Sequence, residues 1–374
     1  MTRVLRSATK KCQSKVDLPS KLSISKNSKI IKKRAKKIVE IKNEVSRQSD
    51  IWNINPILSN ILAYTDRKDL LEFNTVCKKW NQLSNPIIHK TIKLNRSWDI
   101  IKKSHDKRLN KYGKIDADVV ECISNNAKHA PFIKEFYYDY KLEPQRAIEI
   151  FETFRFISKL TIKSWEMSQD QFLGMISPLT QLQELNLEHL EIKKIVYKRL
   201  YKEVVQLPSS LKKLTLSVKL IDNPDLFIQT INSHTNLVEF SSKSSHGFDS
   251  LEPFYKPYPS LVKFEYENQQ VKSSQSLIKV FENNPQLISL KMPLGYMNNN
   301  LANLLSSYLT NLEELNLSEG NSYSYDQTDI NLKFSQPTKI KKLNLSWRRL
   351  TESSVDSILL NCPHLEELLQ KLEN

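Results

Sequence analysis

An apolar triplet spaced LxxLxL repeats through residues 133–374, and this period constrains the fold more than any other feature of the sequence. Ten triplets begin 24 to 29 residues apart, and a clean copy consists of Leu182, Leu185 and Leu187. The first residues of the triplets are Ile133, Ile157, Leu182, Leu211, Leu237, Leu261, Leu287, Leu312, Ile340 and Leu365. Each triplet fits a short strand, and one such unit cannot cover its own apolar surface. The chain is therefore predicted to be an α/β solenoid of stacked repeats.

Amphipathic stretches lie between the triplets and predict helices on the outer side of the solenoid. They are residues 147–154, 226–231, 277–281 and 355–359. Strand, turn and helix alternating at this period resemble a leucine-rich-repeat horseshoe. In that family an Asn or Cys three residues after the third apolar position forms a hydrogen-bonded ladder. Here those positions hold, among others, Leu190, Lys219, Gly295, Gly320 and Arg348. The turns are expected to satisfy their backbone groups in other ways.

A short segment of helical pattern, from Asn53 to Trp80, precedes the repeats. Pro56 can open its first helix, because the amide hydrogen that proline lacks is unpaired at that position. Apolar residues then recur at helical spacing in three runs. The runs are Ile57, Leu58, Ile61 and Leu62; Leu70, Leu71 and Phe73; and Val76, Cys77, Trp80 and Leu83. Three such helices are too short to bury a sufficient core alone, so some of these side chains are expected to contact the rest of the chain or a partner.

This segment resembles an F-box. The matching motifs are Ile57-Leu58, Ile61-Leu62, Asp69-Leu70-Leu71 and Val76-Cys77-Lys78-Lys79-Trp80. Asn53, Ile54 and Pro56 stand where the family usually has Leu, Pro and an acidic residue. The last repeat, with Cys362, Pro363, Leu365 and Leu368, resembles the Cys-Pro-x-Leu-x-x-Leu junction of repeats in many F-box proteins.

The resemblance implies a substrate receptor that docks on a Skp-type adaptor, and so joins a cullin scaffold, in an SCF-type ubiquitin ligase. The adaptor-binding residues that it implies are Pro56, Ile57, Leu58, Ile61, Leu62, Leu70, Val76, Cys77 and Trp80. The alternative reading of the segment is a helical cap on the repeats.

Residues 1–49 carry most of the positive charge of a chain whose net charge is +15. They hold 15 Lys and Arg against 3 Asp and Glu, have no aromatic residue, and are predicted to be a disordered basic tail. The densest run is a candidate nuclear-import signal and consists of Lys32, Lys33, Arg34, Lys36 and Lys37. The alternatives are a solvated charged run and weak, salt-dependent contact with nucleic acid. The nearly neutral remainder argues against a nucleic-acid groove across the folded body.

Strand side chains alternate, so the residue before each second apolar position is expected to face solvent on the concave side of the solenoid. These residues are Glu135, Lys159, Glu184, Lys213, Glu239, Lys263, Ser289, Glu314 and Lys342. Acids and lysines nearly alternate among them, which favours a protein partner of mixed charge. The candidate substrate-binding residues are Tyr137, Lys159, Glu184, Asn186, Lys213, Lys263, Lys291, Glu314, Asn316, Lys342 and Asn344. The alternative is ordinary solvation of the strand face.

No motif indicates catalysis, a cofactor or a metal site. The chain has only five glycines, which excludes the usual Gly-rich phosphate loops, and HExxH, GxSxG and kinase motifs do not occur. Four widely spaced cysteines are typical of reduced thiols, and we expect the protein in the nucleus, the cytoplasm or both. No run of 18 apolar residues occurs, so no membrane span is expected.

The sequence thus predicts four segments: a basic tail at 1–49, an F-box-like helical segment at 50–90, a linker and degenerate first repeat at 91–132, and a leucine-rich-repeat solenoid at 133–374. The predicted function is a non-catalytic substrate-recognition subunit of an SCF-type ubiquitin ligase with an unknown protein substrate. The alternatives are a repeat scaffold that binds proteins without ubiquitin transfer, and a nuclear protein that contacts nucleic acid through its tail.

Overall fold

A computed structural model describes eleven segments of the chain. They are residues 55–94, 111–139, 144–163, 166–167, 169–192, 206–221, 224–243, 251–267, 274–318, 332–346 and 351–371. The predicted basic tail, including the candidate import signal, lies outside them. Contacts divide the chain into one unit at residues 1–66 and a second at residues 67–374, and this boundary falls inside the predicted 50–90 segment.

The described part of the first unit is a single helix, α1, at Asn55–Ala63. Pro56 lies in its first turn, where a missing amide hydrogen costs no helical hydrogen bond. The helix ends in a turn in which the Tyr64 amide and the Thr65 hydroxyl both donate to the Ile61 carbonyl, at 3.1 and 3.0 Å. Leu58 and Leu62, four residues apart on one face, are buried.

The second unit begins with two helices, α2 at Arg67–Val76 and α3 at Lys78–Ile88. Cys77 separates them in an extended conformation, with φ −159° and ψ 166°. The rings of Phe73 and Trp80 pack edge to face with centroids 5.1 Å apart, and Ser84 donates to Asn74 Oδ1 at 3.0 Å. An aromatic pair and a partly buried hydrogen bond therefore hold this helical pair together.

A parallel sheet runs through the rest of the second unit. Its described strands are β1 Thr91–Leu94, β2 Glu135–Tyr138, β3 Lys159–Lys163, β4 Glu166–Met167, β5 Glu184–Ile192, β6 Lys213–Ile221, β7 Glu239–Ser242, β8 Lys263–Tyr266, β9 Ser289–Pro293, β10 Glu314–Ser318, β11 Lys342–Ser346 and β12 Glu367–Lys371. They pair in chain order from β1 to β12, except that β4 lies beside β5 only. The sheet is not closed, so the predicted solenoid architecture is confirmed.

Helices connect many of the strands. They are α4 Lys111–Asn126, α5 Pro144–Thr153, α6 Gln169–Ile176, α7 Pro224–Ser233, α8 Gln275–Asn283, α9 Asn299–Tyr308 and α10 Glu352–Asn361, with short 3-10 helices at Ala127–Phe132, Glu252–Phe254 and Leu294–Tyr296. The four stretches predicted as helices fall in α5, α7, α8 and α10.

The triplets lie side by side, as the period predicts. Leu185 pairs with Leu214 and Leu214 with Phe240, so equivalent apolar residues stack from one repeat to the next. The first residue of each triplet from Ile133 to Ile340 is fully buried, whereas Leu365 of the last triplet is half-buried. One contiguous core therefore runs along the sheet.

Polar side chains between repeats take the place of the missing Asn or Cys ladder. Ser210 and Ser260, each just before a triplet, donate to the carbonyls of Leu182 at 2.7 Å and Leu237 at 2.6 Å in the preceding repeat. The fully buried Asn284 donates to the Phe254 carbonyl at 3.0 Å. These bonds satisfy turn carbonyls that would otherwise be buried without a partner.

Helix α3 joins the first repeat through two stacked histidines. The rings of His89 and His129 lie 3.5 Å apart, centroid to centroid, and within 8° of parallel. His89 stands three residues before Ile92, where later triplets carry Leu or Ile. Burial, the His129 ring and the nearby Arg67 and Lys128 lower the pKa of His89, in that order, and burial and Lys128 lower the pKa of His129.

Mild acid is predicted to destabilise this junction. Both histidines have folded-state pKa values below the unfolded value of 6.5, so the unfolded chain binds more protons as the pH falls through and below 6.5. The free energy of unfolding should be highest above that pH and fall beneath it. Urea unfolding at about pH 7.5 and about pH 5.5 measures the loss. His129→Asn should reduce it, whereas His364→Asn, at an exposed position, should not. An unchanged acid response in His129→Asn would contradict the prediction.

Candidate functional site

The first candidate surface consists of apolar side chains exposed on the helices. In α1, Ile57 is 43% and Ile61 48% exposed, and Tyr64, just after the helix, is 94% exposed. Pro56 is also exposed. Three large apolar side chains of this short unit therefore contact solvent over much of their surface. Such clusters are typical of protein interaction sites.

The second unit, described by itself, also exposes apolar side chains on α2 and at the turn between α2 and α3. Val76 is 62% and Leu71 48% exposed, Cys77 is exposed, and Trp80 is half-buried against Phe73. Leu71 and Tyr64 were not among the residues that the sequence assigned to adaptor binding. The helical spacing alone did not indicate that these two side chains are exposed.

Three members of the predicted adaptor-binding set are buried in the chain. Leu58, Leu62 and Leu70 each expose less than 5% of their surface. A side chain so covered offers no area to a partner, so the set available for direct contact narrows to the exposed members. The roles of those members stay a prediction.

The second candidate surface is the open face of the sheet, the face with the residues before each second apolar position. These residues pair in register across the strands, so that Lys159 lies opposite Glu184, Glu184 opposite Lys213 and Lys213 opposite Glu239. The alternation of charge read from the sequence thus becomes a row of neighbouring opposite charges. We call it the charge row: Glu135, Lys159, Glu184, Lys213, Glu239, Lys263, Ser289, Glu314, Lys342 and Glu367.

Ion pairs form between neighbours in the charge row. Lys159 Nζ lies 3.0 Å from Glu184 Oε2, and Lys213 Nζ lies 2.9 Å from Glu239 Oε2. The hydrogen bond to Glu239 raises the pKa of Lys213. Burial acts to raise the pKa of Glu135, but hydrogen bonds from Lys90 and Thr91 outweigh it and lower that pKa. Lysines and acids of this part of the row therefore neutralise one another.

The residues two positions further along each strand form a second row. Lys291 pairs with Glu267 at 2.5 Å, and Asn186 donates to Glu188 at 3.0 Å. Tyr137 lies under Lys163 Nζ, 5.4 Å from the ring centroid. Here too, several candidate substrate-binding residues already have a partner within the sheet.

A depression of about 180 Å³ lies on this face between β8 and β12. It brings together six of the candidate substrate-binding residues: Lys263, Lys291, Glu314, Asn316, Lys342 and Asn344. Glu367 and Leu369 also line it and were not predicted, because the last triplet is incomplete in sequence. Tyr137, Lys159, Glu184, Asn186 and Lys213 lie on strands β2 to β6, outside the depression.

Comparison with known families decides the nature of the helical segment. Residues 55–88 match the model of the F-box domain, and the match begins with α1 and ends with α3. These residues are an F-box domain. The chain therefore joins an F-box to a leucine-rich-repeat fold. F-box proteins are generally non-catalytic adaptors, and the combination indicates an F-box substrate-adaptor role.

Other comparisons add little. An internalin (inlF) from Listeria monocytogenes is similar in structure, with a TM-score of 0.32 and 14% sequence identity, over 70% of this chain and 90% of that chain. A likeness at this level carries no argument about function. No curated protein matches the sequence significantly.

Metal ligands and membrane-spanning elements are absent from the part of the chain that the structure describes. No three His, Cys, Asp or Glu side chains there come together as a metal site. None of the helices in those segments has the length and apolar character needed to cross a bilayer.

Reversing one charge of the row is predicted to destabilise the repeats. Lys159→Glu places like charges opposite one another at Glu135, residue 159 and Glu184, so the free energy of unfolding should fall by about 1 kcal/mol. Lys159→Gln, the matched control, should cost less than half as much. Added salt should shrink the difference, because these groups are exposed to screening. Urea unfolding measures both, and equal losses in the two variants at low salt would contradict the prediction.

Proposed function

We propose that the protein is the substrate-recognition subunit of an SCF-type E3 ubiquitin ligase. The F-box docks on a Skp-type adaptor, which joins it to a cullin scaffold, and the open strand face of the repeats binds a protein substrate. The observation that carries the proposal is an F-box domain with exposed apolar side chains, followed by a sheet with one uncovered polar face.

The exposed apolar side chains of the F-box favour a docking role. Fully burying a Val, Ile or Leu side chain contributes roughly 1.5–3 kcal/mol, so covering Ile57 and Ile61 in α1, and likewise Leu71 and Val76 in the second unit, supplies a substantial driving force. Interfaces concentrate their binding energy in a few such side chains. A Skp-type adaptor is the partner that F-box domains typically bind.

A receptor of this kind needs no catalytic residues. It raises the effective concentration of a substrate lysine near a charged ubiquitin-conjugating enzyme, and this increase alone accelerates transfer. The absence of a catalytic motif in the sequence accords with this role.

A repeat scaffold without ubiquitin transfer is the second candidate. The stacking of His89 on His129 favours it, because a helical cap on the repeats would pack in this way. Adaptor binding separates the two candidates, since a scaffold would show none. Nucleic-acid contact through the tail is a weaker third candidate, as the remaining 325 residues are nearly neutral.

A charge at the exposed F-box surface is predicted to weaken adaptor binding. Val76→Glu and, in α1, Ile57→Glu would desolvate an unpaired carboxylate at the interface, so the Kd for a purified Skp-type adaptor should rise at least about tenfold. Isothermal titration measures this. The matched control is Leu359→Glu, which changes an apolar helical residue of the repeats with 68% exposure and should bind normally. Failure of the wild-type chain to bind, or normal binding by both F-box variants, would exclude adaptor docking.

We propose that the protein resides in the nucleus, the cytoplasm or both, with the densest basic run of the tail as an import signal. Replacing Lys32, Lys33, Arg34, Lys36 and Lys37 by Ala should shift a fluorescent fusion out of the nucleus, because acidic import grooves recognise clustered Lys and Arg. The control replaces an equal charge elsewhere in the tail: Lys10, Lys11, Lys15, Lys21 and Lys26. The same distribution in both variants would rule out a discrete signal.

A further inference from the structure

The charge row is interrupted at Ser289, and this interruption leaves one acid without a lysine. Lys263, opposite Ser289, pairs with Glu265 on its own strand, with Nζ and Oε1 3.0 Å apart. On the far side of Glu314, Lys342 pairs with Glu367 at 3.6 Å. Among the described residues, the Glu314 carboxylate takes part in no ion pair.

Glu314 lines the depression between β8 and β12. Leu369, on the last strand, lines it too, with an apolar side chain that is 44% exposed. A carboxylate without an ion pair and an accessible apolar surface therefore meet in one depression. The Oδ1 atom of Asn344 beside them is buried, so a ligand does not reach it.

The three lysines that also line the depression are each held by an acid. Lys263 pairs with Glu265, Lys291 with Glu267 and Lys342 with Glu367. Glu267 also lies 3.6 Å from Lys243, so two lysines share it. Of the charged side chains that line the depression, Glu314 is the one without an ion pair to the described residues. An anionic ligand would have to break ion pairs and approach the Glu314 carboxylate, whereas a cationic ligand meets a free carboxylate.

We propose that this depression binds a lysine or arginine side chain of the protein substrate. The proposal rests on the proposed function, in which the open face receives that substrate, and adds the chemistry of the residue recognised. The ammonium or guanidinium group donates to the Glu314 carboxylate, and the aliphatic stem contacts Leu369. The site specifies one basic residue within the bound segment.

Synthetic peptide libraries test this directly. Each library consists of short degenerate peptides with one fixed central residue, which is Arg, Lys, Glu or phosphoserine. The full chain is immobilised and the retained peptides are quantified. Arg and Lys libraries should be retained over Glu and phosphoserine libraries, and Glu314→Gln should lower that retention by about tenfold, the usual effect of losing a charge-assisted hydrogen bond.

Two further variants make the result specific. Glu239→Gln removes an acid from the same row that is paired with Lys213, lies outside the depression and is not a candidate substrate-binding residue, and it should leave retention unchanged. Glu314→Lys should reverse the preference toward the Glu library, a gain that a misfolded chain could not show. Equal retention of all libraries, preference for phosphoserine, or equal effects of Glu314→Gln and Glu239→Gln would overturn the proposal.

The experiments distinguish a failure of this inference from a failure of the proposed function. Loss of the basic preference in a chain that still binds the Skp-type adaptor rejects only this inference. A basic preference in a chain that binds no adaptor supports the site and rejects the ligase role.

Discussion

The parallel, in-register pairing of each strand with the next is the interaction on which the rest of the structure depends. No single repeat can cover its apolar face, so every buried Leu in one strand relies on the equivalent residue in its neighbours, as Leu185 relies on Leu214. Register is specified strongly under these conditions, because a shift by one residue would turn the apolar residues to solvent. The same pairing fixes which polar residues become neighbours on the opposite face.

That second effect gives the open face its character. Acids and lysines that lie far apart in sequence become adjacent, and most of them form ion pairs, as Lys213 does with Glu239. Solvent-exposed pairs of this kind contribute little to stability but leave little charge for a ligand. The recognition that we propose depends on the place where this pairing is interrupted, at Ser289. The exposed side chains of the F-box are apolar instead, and in the docking that we propose they gain by being covered.

Much of the fold could be predicted from the sequence, because the LxxLxL spacing reports strand register directly. The first strand does not follow a complete triplet, since His89 occupies the position where later triplets carry Leu or Ile, and only its stack on His129 shows why a histidine is accommodated. Helical spacing placed Leu58 and Ile57 on one surface but could not tell which faces the chain and which faces solvent. The unpaired carboxylate in the depression could not be predicted either, because it depends on which lysine pairs with which acid. Side-chain geometry, rather than sequence spacing, determines those pairs.

Charges alternate along the charge row, so the neighbours that meet after repeats are removed depend on whether an odd or an even number is removed. Excising the single unit with Lys213 would bring Glu184 opposite Glu239, two like charges, whereas excising the two units with Lys213 and Glu239 would bring Glu184 opposite Lys263. Gains and losses of repeats are therefore tolerated electrostatically in even numbers over this stretch. The units of a stacked-repeat protein are usually equivalent, but here adjacent units carry opposite charges in the row, and the charge pattern repeats every two units.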